Sequence, residues 1–524
     1  MVVPELRPWR AARPRLARAA GAVRPRLTRA ARALGPRVAR FARATAPRLT
    51  GPKTWQYTAG AATAGLALAA GVVTAAGPWD STGQRTAERD RAVALDHTGG
   101  ADHGRGPGTA GPPRPAPSAG AVLAGLGGTS APAPAAPRGE ALAGVLGPLL
   151  EDPALGARHA ASVVDLATGK RLYGTAVGTP LTPASTTKIA TAVAALGALG
   201  PDHRLTTRTA YEADTGELVL VGGGDPTLTA RKKAKGLASL RTLADKTATA
   251  LKKRDVRRVT LSYDTSLYAG SEMHPIGVND NLAPVTALMA DEARTDGSTS
   301  GPAPRVSDPA ADAARTFAGL LRAHGVKATP PGPSKATGRA DTLATVASPP
   351  LSALVERMLT NSDNDLAEAL LRHTAVATGK RADFAGGAAA LAARLKHLGL
   401  PVKGSEFHDG SGLDRADRLT AGLLTGLLTT AADPDRPGLR AALTGLPVAH
   451  FTGTLADRYP DGAAGLVRAK TGTLTGVNTL AGTVVTRDGR TLGFAFLASE
   501  TTDPQAAQAA LDRLASALAD CGCR

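Results

Sequence analysis

The sequence predicts an α+β domain whose antiparallel sheet joins strands from both ends of the globular part, with helices between them and an inserted mixed subdomain. Three observations predict it. A strand–turn–strand pattern opens the globular part: Ala161-Ser162-Val163-Val164-Asp165-Leu166, a turn at Ala167-Thr168-Gly169-Lys170, then Arg171-Leu172-Tyr173. A second hairpin closes it, with residues 479–486 and 490–498 joined through Asp488-Gly489. A helix follows at Asp503-Pro504, an N-cap with proline at the first helical position. Between the hairpins, residues 183–199, 352–359 and 366–376 carry helical patterns.

Taken from the start, the chain has 524 residues and a formal net charge of +18. Residues 1–53 hold 13 arginines and one lysine against a single acid, Glu5. The high pI therefore describes a tail and not a basic folded face, which argues against a nucleic-acid-binding module. Pro4, Pro8, Pro14, Pro25, Pro36 and Pro47 interrupt any long helix there. The segment reads as a disordered, cytoplasmic basic flank, compatible with anionic lipid headgroups. Residues 54–79 contain an uncharged run of twenty residues, 58–77, bracketed by Trp55, Tyr57 and Trp79. Such a run is long enough to cross a hydrocarbon core. With the arginines on one side, the positive-inside rule sends everything after Trp79 outside. This predicts a single-pass anchor in the cell membrane. A cleaved signal with a long basic region is the alternative, and it exports the same residues.

Residues 80–137, with Gly106-Pro107-Gly108 and Ala131-Pro132-Ala133-Pro134, read as an extended spacer. Residues 138–205 and 341–524 are assigned to the main domain, and 206–340 to the insertion. The insertion mixes short apolar strands (Leu218-Val219-Leu220-Val221; 256–261) with charged stretches such as Arg231-Lys232-Lys233. It ends in the Pro/Gly-rich stretch 330–334. The two cysteines, Cys521 and Cys523, give neither a disulfide framework nor a zinc ligand set, and read as a frayed terminal pair.

Three short motifs carry chemistry. Ser185-Thr186-Thr187-Lys188 opens an apolar helix, where residues three apart share a face. A serine hydroxyl needs a base to become a nucleophile. A lysine serves if burial or a second cation destabilises its ammonium. A helix N-terminus also offers a backbone N–H to a developing oxyanion. Ser362-Asp363-Asn364 lies just before the next helix, on what reads as a loop. There a hydroxyl relays a proton and an amide holds a peptide group. Lys470-Thr471-Gly472-Thr473 follows an edge-strand pattern, Leu466-Val467-Arg468. It supplies a fixed positive charge, hydroxyl groups, and a glycine that lets a substrate backbone approach. Each motif occurs once, in this order, and each has the local context its chemistry needs.

This ordered set resembles the penicillin-recognising serine enzymes. Leu220-Val221-Gly222-Gly223-Gly224-Asp225-Pro226-Thr227-Leu228 and Asp409-Gly410-Ser411-Gly412-Leu413 narrow it to the D-alanyl-D-alanine carboxypeptidase/endopeptidase family of low-molecular-mass, active-site serine penicillin-binding proteins. Its members carry an insertion between the first two motifs, and here 173 positions separate Lys188 from Ser362. Where the family usually continues the glycine motif with Leu-Ser-Arg, this chain has Leu413-Asp414-Arg415.

The resemblance implies a penicillin-binding/β-lactamase-like transpeptidase fold and hydrolysis of the D-Ala-D-Ala bond of peptidoglycan stem peptides through an acyl-enzyme. Cross-link endopeptidase activity is a variant of the same reading. It implies Ser185 as nucleophile, Lys188 as base, Ser362 as proton relay to the leaving amine and Lys470 as electrostatic tuner. Asn364 would orient the acyl-side amide. Thr471 and Thr473, beside Gly472, would bind the terminal carboxylate with Lys470. The N–H groups of Ser185 and Thr473 would hold the oxyanion. β-Lactams are implied as covalent inhibitors, and no metal or cofactor is required. Two other readings share these features: a β-lactamase, and a catalytically silent wall-binding or sensing protein.

Overall fold

The computed structural model of the protein describes residues 137–459 and 462–521. The basic flank 1–53, the apolar span 54–79 and the spacer, apart from its last residue, lie outside the described residues. Among those described, no helix is long and apolar enough to cross a membrane.

The chain enters through α1 (Gly139–Leu150), where Leu142, Leu146 and Leu150, four apart, make one buried stripe. The opening hairpin follows as β1 (Arg158–Asp165) and β2 (Arg171–Thr175). Asp165 shapes its turn by accepting the N–H groups of Ala167 at 2.8 Å and Thr168 at 3.3 Å. A 3₁₀ turn, Ala184–Thr186, runs into α2 (Thr187–Leu199). Every residue of α2 from Thr187 to Leu196 is buried. A helix with no polar stripe has no solvent side, so α2 becomes the central helix of the molecule.

The insertion builds its own sheet from β3 (Thr206–Glu212), β4 (Glu217–Val221), β5 (Arg258–Asp264), β6 (Lys327–Ala328), β7 (Gly332–Pro333) and β8 (Asp341–Ala347). The strand order is β6-β5-β4-β3-β8, with β7 also on β5. Pairing is parallel around β5 and antiparallel around β3. Helices α3 (Leu240–Lys252) and α4 (Pro309–Ala323) cover it. Their Leu243, Leu251, Phe317 and Leu321 pack on Leu218, Leu220 and Leu261 of the strands. The sequence boundary at 340 needs correcting: β8, at 341–347, hydrogen-bonds to β3 and belongs to this sheet. The Pro/Gly-rich stretch that suggested an end holds only the two-residue strand β7 before the chain returns to the sheet.

Four longer helices come next, α5 (Leu351–Asn361), α6 (Asn364–Ala377), α7 (Phe384–His397) and α8 (Ala421–Ala432), followed by a one-turn helix, Ala441–Thr444. The chain then closes with β9 (Val467–Leu474), β10 (Val477–Val485), β11 (Thr491–Ser499) and α9 (Pro504–Asp520). Asp503 caps α9 through the N–H groups of Gln505 and Ala506. The main sheet has the order β2-β1-β11-β10-β9 and is antiparallel throughout. Period-two alternation splits β11 between two cores. Leu492, Phe494 and Phe496 face α1 and α9, whereas Ala495 and Leu497 face the α2 side. Cys521, expected to fray, is instead buried in the first of these cores, because the closing helix carries it there. Cys523 lies outside the described residues.

Phe494 and Phe496 stack at 5.1 Å between centroids. Phe496→Ala is expected to lower the unfolding free energy by about 3–5 kcal/mol in equilibrium urea denaturation. A loss under about 1 kcal/mol would show that this side of the sheet is not packed as described.

Candidate active site

Ser185 sits in the 3₁₀ turn that starts α2, a position fixed from both sides. The Pro183 carbonyl accepts the hydroxyls of Thr186 at 2.7 Å and of Thr479, on β10, at 2.8 Å. Ala184 is fully buried with φ 48°, in the left-handed region that a non-glycine residue enters only when its surroundings hold it there. One turn further, Lys188 is fully buried. Its Nζ donates to Ser185 Oγ at 2.9 Å, Asn364 Oδ1 at 2.7 Å and the Ser411 carbonyl at 2.7 Å. An ammonium has three protons, and here each has an acceptor. Burial lowers the Lys188 pKa to about 8, against the opposing pull of the Asp409 and Glu368 carboxylates. A neutral amine so placed has a lone pair available to the Ser185 hydroxyl proton.

The second motif is not a plain loop. Asp363 is the N-cap of α6, its carboxylate accepting the Leu366 N–H at 3.0 Å. Asn364 is therefore already helical, and Ser362 ends α5 in a left-handed conformation at φ 56°. The cap sits two residues earlier than the apolar pattern suggested, because Asp363 supplies it. The Asn364 amide is anchored at both ends: Oδ1 accepts from Lys188, and Nδ2 donates to the Asn281 carbonyl at 2.9 Å. Ser362 lines the same cleft as Ser185, while its side chain has no hydrogen-bond partner among the described residues.

The third motif lies on the edge strand β9, and alternation divides it. Lys470 is fully buried, its Nζ donating to the Thr471 carbonyl at 2.8 Å. Burial first, then the positive charges of Lys188 and Arg458, hold its pKa well below the ordinary lysine range. Thr473 lines the cleft, and Thr471, on the same face of the strand, bonds its hydroxyl to Thr454 of the cleft wall at 3.0 Å. Gly472 also has a structural role. A Cβ there would come within 2.2 Å of Thr479 Oγ1, 2.8 Å of the Pro183 carbonyl oxygen and 3.0 Å of Ala184 Cβ. This close approach is made by the protein's own nucleophile turn, seated on β9.

A cleft of about 270 Å³ is thus lined by Ser185, Asn281, Ser362, Asn364, Leu413 and Thr473. The structure gathers Ser185, Ser362, Asn364 and Thr473 around it, with Lys188 buried behind Ser185 and Asn364. Lys470 lies buried next to Lys188, and Thr471 and Gly472 are one step removed. Sequence reasoning assigned nothing chemical to Asp409–Gly412, yet Ser411 gives Lys188 an acceptor. Asn281, Glu368 and His274 also escaped it, since single polar residues in unremarkable contexts give no signal.

Two groups of side chains place carboxylate and imidazole atoms within 4.8 Å of one another among the described residues. Glu368 accepts the N–H groups of Gly410 and Ser411, Asp409 those of Gly412 and Asp414, and His274 bonds to Asp409. Glu292, Asp363 and Asp365 pair with Arg294, Arg357 and Arg305. The second group is balanced by its arginines, and the first is held by backbone N–H groups.

The sequence matches the D-Ala-D-Ala carboxypeptidase 3 (S13) family over residues 142–303 and 294–518. It is 37% identical over 397 residues to carboxypeptidase DacB of Mycolicibacterium smegmatis, covering 72% of this chain and 84% of that protein. It is 30% identical over 453 residues to a D-alanyl-D-alanine carboxypeptidase of Actinomadura, covering 71% and 83%. The fold is similar to crystalline penicillin-binding protein 4 of Haemophilus influenzae, with a TM-score of 0.59 and 21% identity over 71% of this chain and 97% of that one. The resemblance read from the motifs is therefore correct, and the chain belongs to the D-Ala-D-Ala carboxypeptidase 3 (S13) family.

Proposed function

We propose that this protein is a serine D,D-peptidase that removes the terminal D-alanine from peptidoglycan stem peptides through an acyl-enzyme. One observation carries the reading: a fully buried lysine amine 2.9 Å from the hydroxyl of Ser185, at the floor of an open cleft. The relatives named as carboxypeptidases supply the bond. In the reaction, Ser185 Oγ attacks the carbonyl between two D-alanines and its proton passes to Lys188 Nζ. The oxyanion is held by the N–H groups of Ser185 and Thr473. The C–N bond breaks as the leaving amine takes a proton through Ser362. Water then attacks the ester and regenerates Ser185. Asn364, fixed by Lys188 and the Asn281 carbonyl, orients the acyl-side amide. Lys470, when its buried amine is protonated, places positive potential near the carboxylate end of the substrate. A β-lactam, whose carbonyl mimics the scissile amide, would form the same ester and block the site. The uncharged run 58–77, placed after the arginine-rich flank, supports a membrane anchor that holds this domain outside the cell on the 80–137 spacer.

Ser185→Ala is expected to abolish both labelling by fluorescent penicillin and loss of alanine from defined muropeptides read by mass spectrometry. Retained turnover would remove Ser185 as nucleophile. Splitting of a muropeptide dimer by the wild type would identify cross-link cleavage in addition. Lys188→Arg, which keeps the charge and cannot give up its proton at these pH values, should slow acylation by about 10²-fold or more. The pH profile follows from the lowered lysine pKa. Protonated Lys188 is inactive as a base, so the acylation rate should climb with pH and level off above a midpoint near 8. A rate already flat from pH 6 would show that another group accepts the proton.

A further inference from the structure

The support beneath Lys188 is built by residues outside the three motifs. Glu368 lies four residues beyond Asn364 on α6, on the same helix face, and is fully buried. It makes no ion pair within hydrogen-bond reach among the described residues. Its carboxylate instead accepts the N–H of Gly410 at 3.0 and 3.1 Å and of Ser411 at 2.8 Å. The carbonyls of the same two residues point the other way, to Thr191 Oγ1 at 2.7 Å and Lys188 Nζ at 2.7 Å. Both hydroxyl and amine come from consecutive turns of α2. Asp409 holds the inside of this turn by accepting the N–H of Gly412 at 2.6 Å and of Asp414 at 2.7 Å, and the Ser411 hydroxyl at 3.1 Å.

His274, in the insertion after β5, completes the arrangement. Its Nε2 stands 3.1 Å from Asp409 Oδ2, and its Nδ1 faces the Ile276 N–H at 3.3 Å. An N–H facing Nδ1 places the ring proton on Nε2, where it meets the carboxylate. The Phe384 ring packs against the imidazole edge to face, 5.2 Å between centroids. The turn also has no slack toward the nucleophile. A Cβ on Gly412, at φ 79°, would lie 1.9 Å from the Ala184 carbonyl oxygen and 2.9 Å from Thr187 Oγ1. Any displacement of this turn is therefore a displacement of Ser185 and Lys188.

We propose that Glu368 and His274 are positioning residues of the active site, which hold the Asp409–Asp414 turn, Glu368 through the turn's N–H groups and His274 through Asp409, so that the Ser411 carbonyl meets Lys188. The proposal rests on the reading of Lys188 as the base. It makes the insertion a working part of the site and not an appendage. The charged groups facing Lys188 are Asp409, Glu368, Asp363, Asp365 and Lys470. Those facing Glu368 are Lys188, Asp409, His274, Arg372 and Asp417.

The test is acylation of the full-length chain by fluorescent penicillin across pH, for wild type, His274→Ala, His274→Gln and Glu368→Gln. His274→Ala should lower the plateau rate about tenfold or more, since a ~1 Å misplacement costs up to ~10²-fold. His274→Gln, whose amide N–H can reach Asp409, should recover most of that loss. Glu368→Gln removes a negative charge that holds the Lys188 proton, so the midpoint of its profile should move to lower pH. A His274→Ala enzyme with the wild-type rate and midpoint overturns the proposal. So does a folded His274→Gln enzyme as impaired as His274→Ala. If the wild type takes no label, the serine-peptidase reading is what fails. Crystal structures of the variants then decide the positioning claim. Lys188 Nζ out of reach of the Ser411 carbonyl supports it, and a bond unchanged at 2.7 Å overturns it.

Discussion

The arrangement of this protein depends on one buried amine. Lys188 is surrounded by a hydroxyl, an amide oxygen and a backbone carbonyl, each from a different part of the chain and each within 2.9 Å. A buried ammonium with an unfilled donor is costly, so the three acceptors must arrive together. This requirement ties α2, the start of α6 and the Asp409 turn into one unit. It also explains why α2 is buried on every face: a central helix can be met from several directions, and a surface helix cannot.

Charge around that amine is balanced rather than abolished. Burial disfavours the proton on Lys188, and Lys470, buried in the same region, has no carboxylate partner among the described residues. Asp409 and Glu368 pull the other way. The outcome is a lysine near 8, poised where it can both take and return a proton.

Backbone strain is present beside the cleft. Ala184 and Ser362 both adopt left-handed backbone beside the cleft. So do three consecutive residues of the insertion, Asp291, Glu292 and Ala293, with φ of 53°, 56° and 55°. Each such residue costs about 1–2 kcal/mol. Hydrogen bonds and ion pairs offset it. Asp291 accepts from Thr229 at 2.6 Å and Ala230 at 3.0 Å. Glu292 joins Arg294 and Arg357, and Arg357 continues to Asp363 at 3.3 Å. Arg305 completes the bridge by binding both the Glu292 carbonyl and Asp365. The inserted sheet is thereby fastened to the first turn of α6, which carries Asn364.

Local patterns determined a good deal by themselves. The two hairpins, the helix after Ser185, the closing helix with its Asp503 cap and the edge strand of Lys470 all follow from alternation, turn chemistry and capping, which act between residues a few positions apart. The order of the three motifs likewise pointed to the right family. Tertiary structure alone decided the rest, because the deciding contacts join residues far apart in the chain. Asp363 and not a loop begins α6, Gly472 makes room for Pro183 and Ala184, and β8 extends the inserted sheet to Ala347. The Ser411 carbonyl and the Glu368 carboxylate gain their roles only when folding brings them beneath Lys188. A backbone oxygen has no letter in a sequence, and a buried acid is written like a surface one.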